Sequence, residues 1–329
     1  MSFTRRAALA SAALLMVAQP VLAATPAKPV AQKTVKKAAA ASDFVPSADA
    51  IKAHMGFLAD DAMEGREAGT RGYDIAANYV AAQYALLGVQ PAGGNGSYLQ
   101  PVPLLAFRPV GEGALTITGA DGKATPLKFG EDYLPNAQAQ AAELNLDAPL
   151  VFVGYGVVDP SRGRDDYAGL DVKGKIVVML TGAPSSIQTE ERAHLSSPNT
   201  KRTEAEKRGA VGVITMPTTS GEKRRPFARG VAGMKEWRIV WRNAEGVGSI
   251  RAPGAPALAS ISLAGAEKLF AGAPTPLATI LTEAETPAGA IKGFALPFKA
   301  QVALKTEIEA MPGVRRAYEM TVRNAQDSG

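Results

Sequence analysis

The chain has 329 residues, 46% hydrophobic and 20% charged, with no cysteine and only two histidines, His54 and His194. Disulfides, thiol catalysis and thiolate metal sites are therefore excluded, and imidazole chemistry is confined to two positions. The net charge of +5 comes from the leader: residues 1–42 hold six basic side chains and no acid, leaving 30 basic against 31 acidic residues, so nucleic acid is not an expected partner.

Arg5-Arg6, the apolar run Ala7–Val17 and Val21-Leu22-Ala23 have the order of a secretory signal. They predict a signal peptide over 1–23 and export to the periplasm or the extracellular space. The arginine pair allows a twin-arginine route, but general secretion is expected because the rest of that motif is weak. Residues 24–43, rich in Ala, Lys and Pro, predict a disordered linker. No later run approaches the ~18 apolar residues of a membrane helix, so no membrane anchor is expected.

Ser47 reads as an N-cap, with Asp49 in the first turn and Ile51, Met55 and Leu58 at helical spacing behind it. His54 beside this stripe has no second ligand at i+4 and reads as a helix-surface or part-buried histidine. Met63–Gly72 is a charged stretch with three glycines, which predicts a tight connection needing unusual backbone angles. A Glu64–Arg66 ion pair could fix it, and the rim of an active site is its functional reading. Tyr73–Leu87 reads as an amphipathic helix with Ile75, Tyr79, Val80, Tyr84 and Leu87 inward, capped by Gly88. Tyr98–Leu105 alternates with prolines and predicts an edge strand. Leu115–Thr118 and Pro126–Phe129 flank Asp121-Gly122, a hairpin signal.

Leu150–Val158 predicts a strand. Ile176–Leu180 is an unbroken apolar run and predicts a strand covered on both faces. His194 falls in the polar loop that follows. Lys201–Arg208 predicts a helix with Ala205 inward, a Glu204–Arg208 pair at i,i+4 and Gly209 as a left-handed cap. Ala210–Ile214 is the next buried strand, completing a βαβ-type unit with nothing catalytic in it. Arg224, Arg225, Arg229, Lys235, Arg238 and Arg242, with Trp237 and Trp241, read as a solvated loop or a substrate-facing rim. Ala257–Leu263 and Ala278–Leu281 predict short strands. Phe298–Ile308 alternates apolar and polar positions as a half-buried strand does, and Tyr318–Arg323 begins an answering strand.

Common site motifs fail on context. Gly169–Lys175 matches G-x-x-x-x-G-K, but Ile176 follows and a strand replaces the helix that should receive a phosphate. Gly154-Tyr155-Gly156 has Asp159 where a dinucleotide fingerprint needs its third glycine. Neither histidine has the partner that a serine triad or a zinc site requires.

Leu58–Gly72, the Tyr79–Leu87 helix and Gly88–Pro91 together resemble the N-terminal signature of bacterial secreted zinc aminopeptidases. Their peptidase family also includes glutamate carboxypeptidase and the transferrin receptor. Val153–Gly156, Asp166-Tyr167, Leu170–Val178 and Lys201…Ala205…Gly209-Ala210 resemble the protease-associated domain inserted into that family. The resemblance spans about residues 44–322. It implies an α/β sheet domain holding two zinc ions that activate a water for peptide hydrolysis. The family's bridging Asp, His-x-Asp and Glu-Glu elements have no counterpart in this chain, so no catalytic, cofactor-binding or metal residue is assigned.

The expected architecture is α/β. Residues 44–145 and 291–329 form an incomplete zinc-peptidase domain, interrupted over 146–290 by a mostly-β protease-associated insert. Phe298–Ile308 is expected to lack sheet neighbours and expose an unpaired edge. The expected function is the scaffold and lid portion of an exported zinc-dependent aminopeptidase acting on peptides. Zinc is expected in the full-length parent and none in this chain, which is expected to be inactive alone. The alternative is a non-catalytic peptide- or protein-binding module built on the protease-associated domain.

Overall fold

Two helices open the computed structural model, which describes residues 45–311. The chain divides into two units after His54. Helix α1 (Ala48–Leu58) runs through the division, with the Ser47 hydroxyl oxygen accepting from the Ala50 N–H at 3.3 Å as the N-cap reading requires. Its apolar stripe is not buried: Ile51 is 49% exposed and Met55 64%. Helix α2 covers Arg71–Leu86 and ends as expected, with Gly88 at φ +70° and the Val89 N–H donating to the Tyr84 carbonyl. Of its expected inward positions, Leu87 is 76% exposed and the others are only half-buried.

The remaining elements build one large mixed sheet. In chain order its first strands are β1 (Leu104–Pro109), β2 (Ala114–Gly119), β3 (Ala124–Pro126), β4 (Tyr133–Pro135) and β5 (Glu143–Phe152). A two-stranded ribbon, β6 (Val158–Asp159) and β7 (Arg164–Asp165), stands apart. Then come β8 (Ile176–Leu180), α3 (Thr189–Ser196), α4 (Pro198–Lys207), β9 (Gly212–Met216), α5 (Thr219–Arg224), α6 (Phe227–Ala232) and β10 (Arg238–Trp241). The last elements are β11 (Ala257–Ile261), α7 (Leu263–Leu269), α8 (Leu277–Ala284) and β12 (Phe294–Ala310). The main path runs β10-β1-β12-β5-β8-β9-β11-β4, with β2 and β3 attached through β12. The β5–β8, β8–β9 and β9–β11 pairs are parallel and the others antiparallel.

The core follows from the apolar runs. All five residues of β8 are buried. Ile176, Val178 and Leu180 enter one cluster with Phe152, Ile214, Ile261, Leu269 and Ile280, while Val177 and Met179 enter another with Val151, Tyr167, Ala205 and Val213. Consecutive side chains point to opposite faces of a strand, so the run is continuous because both faces are covered. Each large side chain buried this way contributes about 1.5–3 kcal/mol.

Several expectations are corrected. Phe298–Ile308 is a half-buried strand, but it does not lack sheet neighbours. Within β12 it pairs with β5 (Phe294–Lys305), β2 (Phe298–Ala303) and β1 (Thr306–Ala310). The β1 and β2 ladders join residues 291–329 to 44–145, and the β5 ladder runs across the 145/146 boundary. Tyr98–Leu105 is not an edge strand: Pro101 and Pro103 cannot donate, so the continuous strand starts at Leu104, and β1 lies between β10 and β12. Ala278–Leu281 lies in α8, because Leu277, Ile280, Leu281 and Ala284 share one helical face and Ile280 is buried. Leu150–Val158 leaves the β12 ladder at Phe152 and makes its last bonds to β8 at Val153 and Gly154, whose carbonyl accepts from the Leu180 N–H; Gly154 takes φ +62°. The strand placed at Ala210–Ile214 begins at Gly212. The Gly209 and Ala210 N–H groups are used in closing α4, donating to Glu206 and Ala205 carbonyls. The Asp121-Gly122 hairpin forms, with Thr116 opposite Pro126 and Thr118 opposite Ala124. The signal peptide, the linker and the strand proposed at Tyr318–Arg323 lie outside the described residues.

Candidate functional site

The Met63–Gly72 turn has the backbone its glycines suggest, and more. Glu64, Gly65 and Arg66 take φ of +50°, +78° and +57° in succession. A left-handed conformation costs a residue with a Cβ about 1–2 kcal/mol, and two such residues stand together here. The turn is held at both ends. The Asp60 carboxylate accepts from the Ala62 N–H at 2.8 Å, and the Thr70 hydroxyl donates to the Glu67 carbonyl at 2.8 Å and accepts from the Tyr73 N–H. Met63 is buried, and a Cβ at Gly72 would fall 1.7 Å from its carbonyl oxygen. Glu64 and Arg66 form no ion pair with each other; both side chains are exposed.

The second stretch of signature residues converges on a buried polar cluster beside β8. Lys201 is 3% exposed, and its ammonium donates to the Leu180 carbonyl at 2.9 Å, 5.7 Å from the centre of the Tyr155 ring. Burial brings its pKa down from 10.5 to about 7; the Asp166 charge opposes that fall. Burial also pushes the Asp166 carboxyl up, although it accepts from the Val157 N–H at 2.9 Å and its Oδ1 lies 2.8 Å from Arg164 Nε. That Arg164 N–H is not aligned on the carboxylate, so the pair is a charge contact rather than a formed hydrogen bond. The Arg164 fork donates instead to the Ala288 and Gly289 carbonyls, and Tyr155 OH donates to the Ala284 carbonyl. Desolvation raises the Tyr155 pKa to about 12.

Gly154-Tyr155-Gly156, Asp166-Tyr167 and Lys201, which are far apart in the chain, thus tie the β5–β6 turn to α4 and to the segment before β12. Gly156 has φ +66°, and a Cβ there would meet Met179 at 3.2 Å and Tyr167 OH at 3.3 Å. Arg208 stacks on Tyr167 with its guanidinium carbon 4.6 Å from the ring centre, and bonds Glu204 at 2.8 Å, the expected i,i+4 pair. This chemistry fastens elements together and presents no nucleophile to solvent. Sequence reasoning quoted Lys201 and missed its burial; it also missed Arg164. The signal for both was Asp166 beside an aromatic and two tight glycines.

The two histidines lie on exposed positions of α1 and α3; His194 is helical, not in a loop. Among the described residues no group of three or more His, Asp or Glu side chains could hold a metal ion. The zinc implied by the resemblance does not fit the residues described. The basic, aromatic stretch is not a loop throughout. Arg224 falls on α5, Arg229 on α6, and Arg238 and Trp241 on β10, while Arg225, Lys235, Trp237 and Arg242 lie in the connections, and Arg108 reaches across from β1 to lie 4.3 Å over Trp237. No described helix is long and apolar enough to cross a membrane.

No protein-family model and no curated protein matches the chain. Among solved structures it is similar to an aminopeptidase from Aneurinibacillus sp. strain AM-1, at 19% identity and a TM-score of 0.34, over 80% of this chain and 45% of that one. It is also similar to BSAP, a zinc aminopeptidase from Bacillus subtilis, at 15% identity and a TM-score of 0.25, over 79% of this chain and 43% of that one. The chain thus spans less than half the length of these solved structures.

Proposed function

We propose that this chain is the scaffold and lid portion of an exported zinc-dependent aminopeptidase acting on peptides, with the metal-bearing residues supplied by a part of the enzyme beyond those described. The observation that carries the reading is the Met63–Gly72 turn. Successive left-handed residues are held by a buried methionine, two side-chain caps and a backbone approach that only glycine permits. Strain of this kind persists where the surroundings hold it, and it collects at active sites and ligand clamps. The turn holds Glu64, Arg66 and Glu67 exposed, as a rim to a substrate cleft would. In this reading residues 44–145 and 291–329 go with the peptidase part and 146–290 with the insert.

The purified chain, given zinc and leucine p-nitroanilide, is expected to release no nitroaniline; metal-dependent release overturns the assignment of this chain as scaffold alone. The nucleotide sequence after codon 329, read in all frames, is expected to encode a His-x-Asp and a Glu-Glu; their absence from every frame removes the peptidase reading.

The second reading, a non-catalytic peptide- or protein-binding module, is favoured by the convergence of Gly154–Gly156, Asp166-Tyr167 and Lys201 on one fastened unit. A pull-down from secreted peptides that returns only background counts against it.

A further inference from the structure

The β1–β12 ladder runs on past the ends of its two strands. Hydrogen-bonded pairs alternate along an antiparallel ladder with pairs that are not bonded. Here the bonded ones run from the Val110 N–H, donating to the Lys305 carbonyl at 2.9 Å, to the Met311 N–H, donating to the Leu104 carbonyl at 3.2 Å. Carried on in that register, Val102 meets Gly313 and Gln100 meets Arg315. Among the described residues no hydrogen bond uses the backbone of Val102 or Gln100, and such a row of open groups is a template for another strand. Pro101 and Pro103, which have no N–H to give, fall at the intervening positions, where none is needed, and Pro312 falls opposite Pro103. On the other side of this run the Pro103 carbonyl is already taken, accepting from the Arg242 N–H at 2.7 Å.

Residues 312–323 lie outside the described residues, and their sequence suits that place. Tyr318, Met320 and Val322 alternate with Glu319, Thr321 and Arg323, the period of a half-buried strand. The alternation keeps step with β12, whose buried positions Leu296, Ala300, Val302 and Leu304 are also even-numbered. The path leads to bare apolar surface. In the continued register Tyr318 falls opposite Ser97. The next residue, Tyr98, donates through its hydroxyl to the Val89 carbonyl at 2.6 Å, just past the end of α2. There Leu86 is 80% exposed and Leu87 76%. A two-residue hairpin over Pro312-Gly313 would instead fold the segment back on β12. Proline fixes φ near about −65°, whereas the turns that suit such hairpins need a positive φ at that position. We infer that residues 314–323 continue β12 as a strand along residues 97–103 and lay Tyr318, Met320 and Val322 against Leu86 and Leu87. The end of α2 is thus covered by a later segment of the same chain. The inference does not rest on the peptidase reading.

The chain has no cysteine, so introduced pairs read the register directly. Partners at non-bonded positions of an antiparallel ladder hold their Cα atoms about 4.5 Å apart, within reach of a disulfide. In the full chain, oxidised at low concentration, Leu99→Cys/Arg316→Cys is expected to close at least about tenfold faster than Leu99→Cys/Ala317→Cys, since a slip of one residue turns the side chain to the other face. Leu87→Cys is expected to react with a maleimide at least about tenfold more slowly than Lys123→Cys in the exposed turn between β2 and β3, because it must wait for the segment to open. Each variant is compared at unchanged circular dichroism. A Leu99→Cys/Arg316→Cys pair that stays reduced, or equal rates in the two registers, would overturn the inference. So would faster closure of Glu309→Cys/Arg316→Cys, the pair that a hairpin brings together. Disulfides that join two molecules, or Leu87→Cys labelled as fast as Lys123→Cys, would also overturn it. Such a failure leaves the scaffold assignment standing, because that reading is tested by zinc-dependent turnover and by the downstream codons.

Discussion

Replacing Lys201 by Met should make the protein more stable at neutral pH and change how its stability depends on pH. The ammonium is buried with one hydrogen bond, to the Leu180 carbonyl, and its pKa falls from 10.5 to about 7. The sign follows from linkage. Between those two values the unfolded chain binds more protons at this position than the folded chain, so stability rises with pH. The slope approaches about 1.4 kcal/mol per pH unit, which gives a rise of about 2 kcal/mol from pH 7 to pH 9. Below pH 7 both states are protonated and the penalty is constant. Tyr155, whose pKa is raised to about 12, contributes in the opposite sense only above the ordinary tyrosine value of 10, outside that interval. Met fills the stem volume of Lys without the charge. Its loss of the Leu180 bond costs about 1–3 kcal/mol, less than the roughly 5 kcal/mol of the full pKa displacement. Urea unfolding followed by the fluorescence of Trp237 and Trp241, at constant ionic strength, measures both proteins at each pH. The wild type should gain stability from pH 7 to pH 9 relative to Lys201→Met, and the two curves should approach one another as pH rises. Parallel curves would refute the reasoning.

Gly72→Ala drives a methyl into the Met63 carbonyl and should cost about 1–3 kcal/mol, seen as a lower thermal midpoint and faster proteolysis near residue 65. Phe152→Ala removes the centre of an aromatic trio whose other rings, Phe270 and Phe294, lie 5.1 and 5.5 Å away; a loss of about 3–5 kcal/mol is expected in urea unfolding. Asp132→Ala strips Lys268 of its partner and the Lys128 N–H of its acceptor at a position 2% exposed, and should cost about 3 kcal/mol by the same measurement.

Local signals carried a good part of the architecture. Ile176–Leu180 specified a strand covered on both sides, since no polar residue interrupts it, and the alternation from Phe298 to Ile308 specified a half-buried strand. Gly88, Gly209 and Asp121-Gly122 marked ends and turns because few residues accept the left-handed angles needed there. What such signals could not supply was pairing. Residues 294–310 find β5, β2 and β1 across up to 205 positions of chain, as in the Leu105–Ala310 pair, and alternation says only that a strand has two faces. Ala278–Leu281 failed for a related reason: four apolar-rich residues suit either period, and the decision came from Ile280 packing into the core.

For the candidate sites the division is sharper. The sequence by itself determined that thiol chemistry is absent, that histidine chemistry is confined to two positions, and that Met63–Gly72 needs an unusual backbone. Only the tertiary structure decided that Lys201 is buried against Tyr155 near Asp166, and that the start of β1 meets the end of β12. Residue type and spacing act along the chain, whereas the desolvation of a lysine and the convergence of distant strand ends exist only once the sheet has closed.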